Sequence, residues 1–316
     1  MTERQVTGKV GLIGTGMVGS SFAYALMQRG VANELVLIDA DAARAEGEAM
    51  DLNHGLPFVG PMRIYAGDYD QLAGSTVVVI TAGANQKPGQ TRLDLLQRNE
   101  AVFRDIVPKV VKASPESLIV VATNPVDILT SITAEVAQVP PGRVIGSGTI
   151  LDTARFRYLL SDYYGVNPRS VHAYIVGEHG DSELALWSLA NIAGVRLPEF
   201  VGANGRGYDQ TTMETIFQQT RTAAYEIIKR KKATYYAIGL GILTIVETIL
   251  RDQHTVLTVC SPLSGQYGIE GIALSLPTIV GRQGIEEVIV LPISGDERTA
   301  LQRSAETLKE QFAKLG

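Results

Sequence analysis

The first half of the chain alternates short apolar runs with longer segments in which apolar residues recur every three or four positions. The short runs are typical of buried strands, and the three-to-four-residue repeat is typical of helices. The predicted strands are residues 9–13, 34–38, 63–66, 76–80, 117–122 and 144–146. The predicted helices are residues 17–28, 42–54, 93–113 and 126–136. This alternation predicts a doubly wound, Rossmann-type parallel sheet of six strands with helices on both faces.

The pattern changes after Thr149, where helices and strands stop alternating regularly. The predicted helices run from there to Tyr164, over residues 208–231 and 233–250, and from Asp296 onward. The predicted strands are residues 171–176, 184–189, 255–260, 272–280 and 287–293. We therefore expect an α/β protein with a dinucleotide-binding domain over residues 1–148 and an α+β substrate domain over residues 149–316.

Composition and charge limit the classes of function. The chain has 316 residues, of which 45% are hydrophobic and 19% charged, as in ordinary globular proteins. A net charge of −5 argues against nucleic acid as a partner. No apolar run reaches the roughly 18 residues that a membrane span needs, so we expect no membrane partner.

The cysteine and histidine content argues against disulfides and metal sites. Cys260 is the only cysteine, which excludes an internal disulfide and fits a reducing compartment. The four histidines show no metal-ligand spacing, so no metal is expected. Residues 1–8 are polar and lead directly into the first strand, so we expect no signal peptide and a cytoplasmic location.

A glycine-rich segment, G-T-G-M-V-G at residues 14–19, follows the first strand and opens the first helix. In this position Gly14 permits a tight turn, Gly16 lets a pyrophosphate approach the backbone, and Gly19 lets the helix pack closely on the sheet. Asp39 ends the second strand, where a carboxylate binds the ribose hydroxyls and repels a 2′-phosphate. The sequence therefore predicts an NAD site and favours NAD over NADP.

Further cofactor contacts are expected where other strands end at the same edge of the sheet. The additional predicted contacts are Met17, Val18, Arg44, Tyr69, Thr81, Ala82, Gly83, Ala84, Ala122, Thr123 and Asn124.

A carboxylate, a guanidinium and a histidine form the candidate catalytic group. Asp152 and Arg155 are three residues apart on a predicted helix and so point the same way. Arg155 offers a planar fork for a carboxylate, and His179, flanked by glycines at 177 and 180, suits proton transfer oriented by Asp152. Such groups suit the binding and reduction of a small oxo acid. The alternatives are a solvated ion pair and a structural histidine.

The polar segment at residues 83–92 suits a mobile lid, because it contains Pro and Gly and has little to bury. Arg92 at its end is a candidate for polarising a substrate carbonyl once water is expelled. A surface charge at a helix N-terminus is the alternative for Arg92.

Five motifs together resemble the lactate/malate dehydrogenase family, and within it the bacterial L-lactate dehydrogenases. They are residues 14–19, the 83–92 loop, N-P-V-D at 124–127, the helix with Asp152 and Arg155, and the turn at 177–181. The resemblance covers nearly the whole chain. It implies that His179 is the acid and base, that Asp152 orients it and that Arg92 stabilises charge on the carbonyl oxygen. The implied substrate contacts are Gln86, Arg92, Asn124, Asp127, Asp152, Arg155 and Thr234.

Gln86 separates the two main substrates of the family. The resemblance implies that this position faces the group in which they differ, and that an arginine there pairs with the second carboxylate of oxaloacetate. A glutamine leaves that charge unbalanced in a closed site, which favours pyruvate and L-lactate. A malate dehydrogenase is the alternative, and a noncatalytic NAD-binding protein is a third hypothesis, which the presence of all four catalytic candidates opposes.

Arg157 and His172 suggest regulation. Arg157 points about 200° away from Arg155 around the helix and so serves another surface. The resemblance implies that residues at these two positions bind fructose 1,6-bisphosphate between subunits, and it also implies a homotetramer. A surface arginine and a strand histidine without a ligand are the alternative.

Overall fold

A computed structural model describes residues 8–84 and 92–315, without the side chain of Arg92. The elements of the first half are β1 Lys9–Ile13, α1 Met17–Arg29, β2 Glu34–Ile38, α2 Ala42–Gly55, β3 Arg63–Ala66, β4 Val77–Ile80, α3 Arg92–Ala113, β5 Leu118–Val121, α4 Val126–Ala137 and β6 Val144–Gly146. The elements of the second half are α5 Ile150–Tyr164, β7 Val171–His172, β8 Ile175–Val176, β9 Leu184–Ala185, β10 Asn191–Ile192, β11 Val195–Arg196, α6 Gln210–Lys231, α7 Tyr236–Arg251, β12 Thr255–Ser264, β13 Glu270–Gly281, β14 Gly284–Val288 and α8 Gly295–Phe312.

The main sheet has nine strands in the order β14-β13-β12-β6-β5-β4-β1-β2-β3. The six strands from β3 to β6 are parallel, which confirms the predicted Rossmann-type sheet. Strands β12 to β14 then extend this sheet in antiparallel fashion, with Cys260 opposite Gly146. The sequence predicted strands in this region but not that they continue the first sheet.

Both faces of the sheet are buried. Along β4, Val77 and Val79 face one core and Val78 and Ile80 face the other, because side chains alternate along a strand. Helices α1 and α7 pack together over the face of Val77 and Val79. A helix from the second half of the chain therefore covers the dinucleotide-binding sheet and fixes the two halves against each other.

Three predicted strands differ from the structure. Residues 171–176 form two short strands, because β7 pairs with β10 whereas β8 pairs with β9. Residues 184–189 leave the strand after Ala185 and form a helical turn at Trp187–Leu189. The last predicted strand lies earlier, at β14, and Pro292 lacks the backbone donor that a longer strand would need.

No helix in the described ranges is long and apolar enough to cross a membrane.

Candidate active site

The turn between β1 and α1 is shaped to take a pyrophosphate. Gly14 has φ +96°, and a Cβ there would overlap the backbone of Ala82. A Cβ at Gly19 would overlap the carbonyl oxygen of Gly14, whereas Gly16 faces open space. Gly16 caps α1, and no described side chain caps that helix end. The first amide groups of α1 therefore point toward a cradle that is free of side chains, which fits an anionic group.

Asp39 is tied to this turn at the end of β2. Its Oδ2 atom accepts hydrogen bonds from Thr15 N at 2.7 Å and Thr15 Oγ1 at 3.0 Å, and its Oδ1 atom accepts one from Asp41 N at 3.0 Å. Burial opposes ionisation, but these bonds outweigh it and lower the pKa of Asp39. The charge of Arg44 acts in the same direction. A fixed negative charge thus lies beside the cradle, where it suits ribose hydroxyls and disfavours a phosphate.

The ends of β4 and β5 meet the glycine-rich turn. Thr81 Oγ1 donates to Gly14 O at 2.7 Å, and Thr123 Oγ1 donates to Ala82 O at 2.8 Å. These bonds join three of the predicted cofactor segments at one edge of the sheet. Tyr69 lies elsewhere along the edge, in a helical turn after β3, with the Lys109 ammonium 5.4 Å from its ring centre.

Asn99 is a residue at this edge that the sequence analysis missed. It is 1% exposed on α3, accepts a hydrogen bond from Ala84 N at 2.7 Å and donates one to Asn124 O at 2.9 Å. Asn99 thereby holds the loops after β4 and β5 together. The sequence did contain a signal for a buried Asn99. This amide lies three residues after buried Leu96 and four before buried Phe103, on the apolar face of a helix.

Asp152, Arg155 and His179 form one hydrogen-bonded group. Asp152 and Arg155 lie in the first turns of α5, and His179 lies in the turn between β8 and β9. Asp152 Oδ2 is 2.5 Å from His179 Nδ1, and Asp152 Oδ1 accepts from Arg155 Nη1 at 2.8 Å. The Asp152 side chain is 3% exposed, against 14% for Arg155 and 22% for His179. The carboxylate is therefore enclosed, and the arginine and histidine reach toward solvent.

Hydrogen bonds fix α5 against the histidine turn. Thr149 Oγ1 and Thr153 Oγ1 donate to Ile175 O on β8 at 2.7 and 3.2 Å. The sequence alone gave the spacing of Asp152 and Arg155 on their helix, but these contacts determine that the helix faces His179.

Charge within the group favours an imidazolium. Burial opposes a charge on His179, but the negative charge of Asp152 and its hydrogen bond outweigh it and raise the pKa to about 9. The pKa of Asp152 is lowered, because His179 and Arg155 together outweigh its burial. A histidine that holds its proton at neutral pH, beside an arginine, suits a general acid next to a bound carboxylate.

Asp127 lies behind the histidine. It is 2% exposed on α4, and its Oδ2 atom accepts a hydrogen bond from His179 N at 2.7 Å. Its Oδ1 atom has no hydrogen-bond partner among the described residues, and burial raises its pKa to about 6. The carboxylate of Asp127 therefore anchors the histidine turn, and its expected contact with the substrate stays a prediction.

Of the remaining candidates, two lie in loops and two fall partly or wholly outside the described structure. Asn124 follows β5 and is exposed, and Thr234 is half-buried between α6 and α7. Gln86 and the side chain of Arg92 lie outside the described residues.

Arg157 contacts the residues that directly follow His172 in the chain. Arg157 Nε donates to Ala173 O at 2.9 Å, and its guanidinium carbon lies 5.1 Å from the centre of the Tyr174 ring. His172 is exposed on β7, directly before Ala173. Arg157 is thus held by the two residues that directly follow His172 in the chain.

Known proteins match nearly the whole chain. The family profile described as lactate/malate dehydrogenase, NAD binding domain, matches residues 8–146, and its alpha/beta C-terminal domain matches residues 149–315. The L-lactate dehydrogenase of Acetivibrio thermocellus is 52% identical over 310 residues, with 98% of each chain covered. That of Thermoanaerobacter pseudethanolicus is 50% identical over 307 residues, covering 97% of this chain and 99% of the other.

A solved structure has the same fold. The crystal structure of the minor L-lactate dehydrogenase from Enterococcus mundtii, in a ligand-bound form, superposes with a TM-score of 0.95 at 43% identity. The superposition covers 99% of both chains.

Proposed function

Because the chain belongs to the lactate/malate dehydrogenase family, we propose that it interconverts pyruvate and L-lactate. The family makes it an NAD-dependent 2-hydroxy acid oxidoreductase. The pairing of Asp152 with both His179 and Arg155 is the observation that carries the proposal, because it sets a proton donor beside a carboxylate-binding fork.

In the proposed reaction, pyruvate, NADH and a proton give L-lactate and NAD. The bound cofactor supplies or accepts the hydride. Arg155 binds the substrate carboxylate, and His179 gives its proton to the carbonyl oxygen during reduction and takes one from the hydroxyl during oxidation. Asp152 keeps the imidazole ring oriented and stabilises its charged form. Arg92 polarises the carbonyl, and Asn124 and Thr234 contact the substrate, as the family resemblance implies.

Gln86 supports pyruvate over oxaloacetate as the substrate. A neutral amide leaves a second substrate carboxylate without a partner, and a buried charge without a partner is strongly disfavoured. Malate dehydrogenase activity remains the second candidate.

The first experiment compares NADH oxidation with pyruvate and with oxaloacetate in the purified enzyme and in Gln86→Arg. We expect the wild-type enzyme to prefer pyruvate by at least about a hundredfold in kcat/KM, since about 3 kcal/mol or more are at stake. The variant should gain activity on oxaloacetate and lose it on pyruvate. Preference of the wild-type enzyme for oxaloacetate would favour the malate reading, and no turnover of either would favour a noncatalytic protein.

Activation by fructose 1,6-bisphosphate in a homotetramer is a separate part of the proposal. Support comes from Arg157, held by Ala173 and Tyr174 beside exposed His172, since phosphate groups are bound by such cations. The effector would act by binding the substrate-competent state more tightly than the inactive one.

Pyruvate saturation curves with and without fructose 1,6-bisphosphate test this regulation. The effector should lower the half-saturating pyruvate concentration in the wild type but not in Arg157→Gln. Arg169→Gln, which removes a positive charge just before β7, is the control. A wild-type curve that the effector does not change would refute activation. Sedimentation with and without the effector measures the oligomeric state.

The domain division and the location complete the proposal. We place the boundary between residues 148 and 149, although the main sheet continues across it. We place the enzyme in the cytoplasm, where the buried free thiol of Cys260 would stay reduced.

A further inference from the structure

Glu183 is a buried carboxyl group beside the catalytic histidine that the proposed reaction does not use. It lies four residues after His179, at the end of the same turn, and its backbone N donates to Gly180 O at 3.2 Å. Only 6% of Glu183 is exposed, and its Oε1 atom has no hydrogen-bond partner within the described ranges. Because an ionised oxygen in this position is costly, burial favours the protonated acid.

Glu183 is also close to the charged pair. One of its carboxyl oxygens lies within 4.8 Å of an Asp152 carboxylate oxygen and of a ring nitrogen of His179. At such a distance in a buried site, the charges of these groups strongly affect one another's protonation. Ionisation of Glu183 would place a second negative charge next to Asp152 and favour the positive charge on His179.

The titration of the two groups overlaps. Burial and then the charge of Asp152 raise the pKa of Glu183 to about 8, against the positive charges of His179, Arg155 and Arg221. The pKa of His179 is raised to about 9, and the charge of Glu183 contributes to this rise after those of Asp152 and Asp127. Two coupled groups in the same pH range lose their protons as a pair rather than independently.

We propose that Glu183 is a positioning residue of the proton-transfer site, which carries a proton at neutral pH and, once ionised, holds His179 in its imidazolium form. The proton that Glu183 loses goes to solvent. The inference rests on the proposed function, since it assumes that His179 is the proton donor.

Each protonation state of Glu183 has its own effect on the site. While neutral, Glu183 adds no negative charge that would compete with a substrate carboxylate for Arg155. At alkaline pH its carboxylate stabilises the proton on His179, so the enzyme keeps its proton donor over a wider pH range than a neutral residue would allow.

The charged and titratable groups that act on this pair come from four elements of the structure. They are Asp152 and Arg155 on α5, Arg221 on α6, Asp127 on α4 and, through its effect on Asp127, Glu178 on the histidine turn. All of them are retained in the variants used below, so a change in titration reports Glu183.

The test is an NMR titration of the protein without cofactor, from pH 5 to pH 11, with 13C at histidine Cε1. Comparison with His179→Gln assigns the resonance. In Glu183→Gln, which keeps the shape and removes the charge, we expect the midpoint of His179 to fall by at least about half a pH unit. In Glu183→Asp, which keeps a carboxyl group, the midpoint of His179 should lie between those of the wild type and Glu183→Gln. Glu310→Gln on α8 should leave the midpoint unchanged.

A second measurement does not depend on the folding of Glu183→Gln. With 13C at the glutamate carboxyl carbon, the wild-type protein should show one carboxyl that titrates near pH 8 and is missing from Glu183→Asp. An unchanged His179 midpoint in a folded Glu183→Gln, or a Glu183 carboxyl that titrates below pH 6, would overturn the proposal.

These titrations need no substrate, so their outcome is independent of the proposed function. An enzyme that lacks activity on pyruvate but shows both expected titration results would rule out pyruvate as the substrate and still support the coupling of Glu183 to His179. Activity on pyruvate with neither titration result would refute only the role of Glu183.

Discussion

Asp152 Oδ2 lies 2.5 Å from His179 Nδ1, on the side of the ring away from the nitrogen that remains for the substrate. The second oxygen of the same carboxylate accepts a hydrogen bond from Arg155. One buried carboxylate therefore orients both the proton donor and the group that binds the substrate, and a change at Asp152 should affect acid–base chemistry and substrate binding together.

Asp152→Asn tests this double role. The amide keeps the size of the side chain but removes the charge that stabilises the imidazolium, so we expect kcat/KM for pyruvate to fall by about 10²- to 10⁴-fold. The pyruvate KM should rise as well, because Arg155 loses its partner. Steady-state kinetics at saturating NADH measure both, with Asp70→Asn as an exposed control. A loss of less than about fivefold would contradict the assigned role.

The pH dependence of the reaction should follow His179. Its pKa is raised to about 9, so the proton needed for pyruvate reduction is present at neutral pH and lost above that value. We expect kcat/KM for pyruvate to be level below about pH 8 and to fall about tenfold per unit well above pH 9. Lactate oxidation, which needs the neutral ring, should rise over the same range. A wild-type midpoint below pH 7 would be inconsistent with the Asp152 contact.

The same pKa links pH to stability. Because the folded value is above the unfolded value of 6.5, the contribution of His179 to stability is complete below about pH 6.5 and disappears as the pH rises through about 9. Thermal unfolding of His179→Asn and of the wild type should therefore converge at high pH.

Asp39→Asn should weaken cofactor binding. The amide cannot offer the charged oxygen that suits the ribose hydroxyls, so we expect the Kd for NADH to rise about ten- to a hundredfold. Discrimination against NADPH should decrease, because the repulsive charge is gone. Fluorescence titration with both cofactors measures the two effects. Since Asp39 also binds Thr15, the thermal midpoint should be compared with that of Asp70→Asn. Equal affinities of the wild type and Asp39→Asn for NADH would refute the assignment of Asp39 to the cofactor site.

Glu297 should make stability depend on acid pH. It forms a capping box with Ser294 at the start of α8 and accepts hydrogen bonds from Ser188. Burial opposes its ionisation, but these bonds outweigh burial and lower its pKa from 4.5. The stabilisation is thus present above pH 4.5 and is lost as the pH falls through the lower folded value.

Glu297→Gln should lower the free energy of unfolding by about 1 to 2 kcal/mol at pH 7. The difference from the wild type should shrink at acid pH. Urea unfolding at pH 7 and pH 4 provides the comparison, and Glu310→Gln controls for charge loss on an exposed position of the same helix. A difference that does not change with pH would show that the charge of Glu297 is not responsible.

The sequence was most informative where chemistry depends on neighbours along the chain. The glycine-rich turn could be predicted because it lies within a single strand-turn-helix unit, where Gly14 takes a positive φ and Gly19 leaves no room for a Cβ beside the carbonyl oxygen of Gly14. Asp152 and Arg155 face the same way because helix geometry places residues three apart on one side. Each of the six parallel strands could be predicted from its own apolar run, without knowledge of its neighbours in the sheet.

Contacts between distant segments were decided only by the tertiary structure. It brings His179 to Asp152, places Asp127 and Glu183 around the histidine, and continues the first sheet through β12. The local pattern around Glu183 gives no sign of burial, since a glutamate at the end of a turn is usually solvated. Protonation depends on burial and on charges from other elements, and these are set by packing rather than by spacing along the chain.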